Sequence, residues 1–192
     1  MDHWPGTLSP MQPWLLDSDT ILRPLDSAAA GETHALIQAN RAHLDRWLRW
    51  SSAIQTLDDT RALIDTFTHK QAAGDGFHLG IWHRGNLAGG LVCWYIHRQN
   101  RNAELGYWLG REHTGRGLAT RAAGAGVRHL FEVERLNRIE MLCGTDNQDS
   151  RRVAERLGFR LEGVRRESHW ITDRFVDHAI YGMLRAEWHA TV

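Results

Sequence analysis

Apolar residues along this chain repeat at two different spacings, and each change of spacing marks a change of element. "TILRPLD", residues 20–26, is short and strand-like. From residue 28 to about residue 50, Ile37, Leu44, Trp47 and Leu48 recur at helical intervals, which predicts a first helix. "LDDTRALIDTFTHKQ" predicts a second, with Asp58 or Asp59 as N-cap and Leu63 and Phe67 turned inward. The period then shortens. "FHLGIWH", "LAGGLVCWYIH" and "NAELGYWLG" predict three strands, the first two joined by a turn at "RG" and Asn86. Next, Ala119, Ala122, Ala123, Gly126, Val127 and Leu130 follow a helical rhythm, on a face of small residues able to lie close on a sheet. "RIEMLCG" predicts a strand and "DSRRVAERLG" a short helix closed by Gly158. "FRLEGVRRESHWIT" and "VDHAIYGML" predict two final strands. The order β-α-α-β-β-β-α-β-α-β-β describes one mixed α/β (α+β) domain over residues 15–192. Three of the four prolines fall in "MDHWPGTLSPMQPW", residues 1–14, which predicts an arm outside the core that Trp4 and Trp14 could pin down.

Composition narrows the class. A chain of 192 residues, 42% of them apolar, supports one sizeable core and is too short for two comfortable domains. The formal net charge is zero, and no compact Lys/Arg block supplies the basic face that nucleic-acid binding needs. Lys70 is the sole lysine, and Arg151-Arg152 and Arg165-Arg166 are only pairs. Cys93 and Cys143 stand in apolar, strand-like text, as buried free thiols of a reducing compartment do. No signal-peptide pattern and no membrane-length apolar run occurs, so a cytoplasmic location without membrane contact is expected. Twelve histidines occur, none in a tight ligand spacing, and no metal is expected.

The stretch ahead of the third helix carries the chemistry. In "LGREHTGRGLATRAAG", Gly115, Gly117 and Ala119 stand at spacing two before a helix. Glycines at a helix start cost backbone entropy, but they free several N–H groups at the positive end of the helix dipole. Such a loop can wrap a phosphate or pyrophosphate, or it can serve only as a tight helix entry. A P-loop is excluded because no Lys follows Gly117, and a dinucleotide fingerprint fails on spacing and strand order. Asn147 and Ser150, at N-x-x-S, are ordinary capping types at the start of a helix. Glu104 shares a strand face with Gly106 and Trp108, and Arg101 is a possible ion-pair partner. Trp47, Trp50, Trp94 and Trp108 read as core or as groove lining.

"HTGRGLAT" resembles the acetyl-CoA pyrophosphate loop of the GCN5-related N-acetyltransferases (GNAT), pattern Gln/Arg-x-x-Gly-x-Gly/Ala. Thr114 stands at the first position, Gly117 and Ala119 at the next two. "ILRPL", "NAELGYWL", "TDNQDSRRVAERLGFRLEG" and "VDHAIYGML" resemble, in order, the RimJ/RimL-like branch that acetylates ribosomal-protein N-termini. The resemblance implies a mixed, mostly antiparallel sheet of about seven strands with about four helices. The sheet would splay between residues 103–109 and 138–143, with pantetheine in the gap. It implies acetyl-CoA as co-substrate, held by Thr114, Gly115, Arg116, Gly117, Leu118, Ala119 and Thr120 and by the backbone of Tyr107, Trp108 and Leu109. Asn147 would hold the pantetheine arm, and Ser150 would donate to the leaving thiolate. Ala154 replaces the tyrosine acid of many relatives, which leaves that duty to Ser150 or water. Glu104 is the implied base, acting through water, and Trp47 and Trp50 the implied acceptor-binding residues. An α-amine is roughly a tenth neutral at pH 7 and a lysine only about 0.04%, so so weak a base suits an α-amine better. The expected acceptor is a peptide N-terminus. A small amine (an antibiotic or polyamine), another acyl donor, and a binding module without turnover stay open, and a homodimer is expected by family analogy.

Overall fold

The computed structural model describes residues 11–188. Residues 1–10 of the expected arm, Trp4 among them, lie outside the described residues. Of the remainder, Trp14 lies in the sheet: it opens strand β1 (Trp14–Asp17), which pairs antiparallel with β2 (Thr20–Pro24), Trp14 opposite Leu22. The Trp14 ring lies against Phe77 at 5.9 Å and His129 at 4.8 Å between centroids, which ties this edge to the core.

The remaining elements are α1 (Ala30–Ala39), α2 (Arg41–Leu44), α3 (Leu57–Ala73), β3 (Phe77–His83), β4 (Asn86–His97), β5 (Asn102–Leu109), α4 (Leu118–Glu132), β6 (Arg138–Gly144), α5 (Gln148–Arg156), β7 (Arg160–Ile171) and β8 (Arg174–Leu184). The described residues thus hold eight strands and five α-helices, one of each more than expected. The extra strand is β1. The extra helix arises because the long helix expected over residues 28–50 breaks at Asn40. There the Asn40 side chain donates to the Leu36 carbonyl at 3.0 Å and accepts the Arg111 N–H at 2.8 Å. A buried amide that binds its own backbone competes with helix continuation. The N-cap of α3 also differs from expectation. Thr56 caps the helix, and Asp59 completes a capping box by accepting from the Thr56 N–H at 2.8 Å.

The sheet order is β1-β2-β3-β4-β5-β6-β8-β7, and every neighbouring pair is antiparallel except β5 with β6. Two layers cover it. Val92 and Trp108 pack with Ile37, Leu44 and Phe67 on the α1–α3 side, while Leu105, Met141 and Cys143 pack with Leu118, Ala122 and Ala154 on the α4–α5 side. β4 is buried on both faces from Leu87 to Cys93, which is why its text is nearly unbroken apolar residues. The small-residue face of α4 performs as its spacing implies. A Cβ on Gly126 would stand 3.1–3.2 Å from Leu91 and Leu105, so the glycine lets the helix settle onto β4 and β5. No helix among the described residues is long and apolar enough to cross a membrane.

Candidate active site

β5 and β6 pair over three rungs only, Asn102 with Arg138, Ala103 with Ile139 and Glu104 with Glu140. Beyond Glu104 the strands part, at the position expected. The gap-side backbone of β5 from Leu105 onward has no ladder partner in β6, and buried backbone groups require one from elsewhere. A cavity of about 500 Å³ fills the opening. Strand alternation sorts its walls. Tyr107, Cys143, Ser150 and Val153 come from the α4–α5 side, and Trp47, Trp94, Trp108 and His178 from the other. The cavity is therefore a slot lined from both faces of the sheet.

One mouth is the glycine loop. Gly115 and Gly117 both adopt left-handed backbone, φ 73° and 72°. L side chains rarely take that conformation, which explains the residue choice. A Cβ on Gly115 would meet nothing within 4 Å, so the space beside it is open. Gly117 is the N-cap of α4 and makes no side-chain cap, and the first turn holds no acidic residue. Its leading N–H groups are thus left for an anion. Thr114 turns back on its own loop, its hydroxyl donating to the Arg111 carbonyl at 2.8 Å. It holds the loop's shape where relatives offer a longer side chain. Thr114, Gly115, Gly117, Leu118, Ala119 and Thr120 all line the cavity; Arg116 is exposed and is not among the lining residues. These features fit a coenzyme A diphosphate.

Deeper in the slot, Asn147 caps α5 by accepting the Ser150 N–H at 3.1 Å, so the capping reading of that residue holds. Ser150 does more. Its hydroxyl donates to the Cys143 sulfur at 3.3 Å and accepts from the Tyr107 hydroxyl at 3.3 Å. Burial pushes the Tyr107 hydroxyl well above its ordinary value and raises the Cys143 thiol, so both stay protonated. No tyrosine comes from α5, as Ala154 foretold, but β5 supplies one from 43 residues away. Sequence reasoning assigned Tyr107 only a backbone role; its strand alternation with Leu105 places the ring on the α5 side and was the available signal.

On the opposite face, Trp108 is buried. Its ring packs edge-on against Trp50 at 5.7 Å, and its N–H donates to His78 at 3.2 Å. Trp47 lies over Gly144, where a Cβ would be 3.4 Å from the ring. Trp47 and Trp50 both line the cavity, as do Tyr107, Trp108 and Leu109. Glu104 does not. It sits at the closed end of the gap, one rung below the opening, beside Glu140. Burial and the Glu140 charge raise its pKa, and Arg165 opposes them. Arg101, the partner suggested by spacing, donates instead to the Arg135 carbonyl. His178, which sequence reasoning passed over, lines the cavity at the end of β6, opposite Gly144. No cluster of three or more metal-ligating side chains occurs among the described residues.

A parallel strand pair that opens into a slot, with an uncapped, glycine-led helix at its mouth, defines a coenzyme A-dependent acyltransferase scaffold. The chain belongs to the acetyltransferase (GNAT) domain family, which matches residues 19–160. It is 31% identical to the putative ribosomal N-acetyltransferase YdaF of Bacillus subtilis (strain 168), over 88% of this chain and 91% of that protein. The ribosomal-protein-serine acetyltransferase of Escherichia coli (strain K12) is 30% identical over 83% of this chain and 92% of its own length. The solved structure of RimL, a ribosomal L7/L12 α-N-protein acetyltransferase in complex with coenzyme A, superposes with a TM-score of 0.87. It is 25% identical, covering 90% of this chain and 98% of that one. The protein is an acyltransferase that uses acetyl-CoA.

Proposed function

We propose that the protein acetylates the α-amine of a protein N-terminus, by direct attack while donor and acceptor are both bound. Acetyl-CoA, when bound, supplies the activated acetyl thioester. The residues around it hold and orient: the α4 N-terminus and its glycines take the diphosphate, and Ser150, itself hydrogen-bonded by Tyr107, donates to the departing sulfur. Holding both reactants in one slot supplies most of the acceleration in a direct transfer.

The observation that carries the choice of acceptor is the charge of the walls. Asp149 is the only carboxylate among the lining residues, and it is exposed on α5 with Arg152 at 3.3 Å. The acceptor-side wall of Trp47, Trp94, Trp108 and His178 has no counter-charge for a polycation. A single amine on an uncharged peptide start suits that wall, as does the activity named for the E. coli relative. Thiol release from acetyl-CoA should be followed with N-terminal peptides beginning in Ser, Ala or Met, and with polyamines and aminoglycosides. Peptides are expected to give the higher kcat/KM; a polyamine or aminoglycoside preferred over every peptide would overturn this reading.

A further inference from the structure

We propose that Arg152 and Arg156 of α5 clamp the diphosphate of the donor from the wall facing the glycine loop. The inference rests on the placement of that diphosphate at the start of α4 argued above.

The charge of the donor sets the problem. Both phosphates of the diphosphate are anionic, while a helix N-terminus offers only about half an elementary charge. The glycine loop adds no side-chain cation to the slot. Thr114 is uncharged and turned back on the Arg111 carbonyl, and Arg116 is exposed outside the lining. Arg121, in the first turn of α4, pairs with Asp17 at 3.0 Å and donates to the Arg116 carbonyl. His43 and His178 line the slot, but burial lowers both rings from 6.5, which leaves them neutral at pH 7. The cations that remain among the lining residues are Arg152 and Arg156.

The course of α5 places them. Asp149, Arg152 and Arg156 recur at i, i+3 and i+7, so they share one face of the helix, and all three line the slot. The helix starts at the deep end, where Ser150 meets Tyr107 and Cys143. It ends against α4, where Leu157 would stand 3.4 Å from a Cβ on Gly124. A rise of about 1.5 Å per residue carries Arg156 roughly 9 Å outward from Ser150. The phosphates lie in that direction when the thiol is at Ser150. Arg151, by contrast, donates to the Tyr181 hydroxyl and the Thr145 carbonyl and is not among the lining residues.

Contacts within the fold do not account for the pair. Arg156 makes no hydrogen bond or ion pair among the described residues, and Arg152 has only the exposed Asp149 at 3.3 Å. A cation in the last turn suits the dipole of α5, but that reason does not extend to Arg152. Two like charges one turn apart on a helix repel each other, and an anion held between them offsets the repulsion. Guanidinium groups also meet phosphate oxygens with paired N–H donors.

The test is calorimetric titration of coenzyme A and of dephospho-coenzyme A, which keeps the diphosphate and lacks the 3′-phosphate. The proteins are wild type, Arg152→Gln, Arg156→Gln, the double variant and Arg116→Gln, with unchanged urea midpoints reporting that each folds. Each single α5 variant is expected to bind both nucleotides about tenfold more weakly, and the double variant more weakly still. The deficits should shrink as salt is raised from about 50 to about 500 mM, which a packing role would not do. Arg116→Gln removes the same charge from outside the slot and should change either affinity by less than about twofold. A loss confined to coenzyme A would assign the arginines to the 3′-phosphate and overturn the clamp. So would an equal loss with Arg116→Gln, or no loss in the double variant. Because binding is the readout, the result holds whichever amine is the acceptor. A Gly117→Ala variant with wild-type affinity for both nucleotides would instead remove the diphosphate from the loop, and the clamp with it.

Discussion

At the scale of single residues, the site turns on a hydroxyl chain, Tyr107 to Ser150 to the Cys143 sulfur. Ser150→Ala should lower kcat by about 10–100-fold and leave coenzyme A affinity nearly unchanged, because the proposed hydrogen bond serves the leaving sulfur. Stopped-time thiol release with parallel calorimetry checks both halves. Tyr107→Phe removes one neutral hydrogen bond, about 1 kcal/mol, so a loss of about fivefold is expected in the same assay. Ser150 and Asn147 were readable from their N-x-x-S spacing and from resemblance. The Tyr107 hydroxyl contact was not, since it spans two elements whose separation depends on the splay. His178 was missed for a related reason. Alternation within "VDHAIYGML" indicates that it faces away from Ala179 and Tyr181, but only the register against Gly144 shows what lies there.

At the scale of elements, backbone conformation decides which substitutions the cofactor site tolerates. Gly117 both caps α4 and holds a left-handed conformation that costs an L side chain roughly 1–2 kcal/mol. Gly117→Ala should therefore weaken coenzyme A binding by about tenfold in a calorimetric titration, as the loop relaxes away from its shape. By contrast, Thr56→Ala removes the cap of α3, far from the slot lining. A loss of about 1 kcal/mol in urea denaturation is expected, with unchanged coenzyme A affinity. The small-residue stripe of α4 and the unbroken apolar run of β4 were both plain in the sequence, because burial on defined faces writes itself as periodicity. Asn40 was not: a single amide bonding back to Leu36 and across to Arg111 ended a helix whose hydrophobic rhythm continues past it. Thr56 outcompeted Asp58 and Asp59 as cap because an acidic residue at the third helical position stabilises a capping box.

At the scale of the whole molecule, two buried histidines give the fold an acid liability. Burial drops His78 to about 3 and, with His169, drops His178 to about 4, both from 6.5. The unfolded chain binds protons on these rings first, so their contribution is intact above about pH 6.5 and drains as pH falls toward 4. Glu104, raised by burial and Glu140, works in the opposite sense. Urea midpoints should fall between pH 7 and pH 5. His78→Gln, which keeps an acceptor for the Trp108 N–H, should flatten that dependence. The strand count and order followed from periodicity almost unaided, short of β1, which hides behind prolines. The pairing of β5 with β6 did not, since alternation predicts strands without naming their neighbours. It came from family resemblance and holds in the ladder. The slot that this pairing leaves has a traffic consequence. With its two walls on opposite sides of the sheet, spent coenzyme and acetylated product need not leave by one door. On the proposed reading, an acceptor can stay on its side while a fresh donor is loaded from the other.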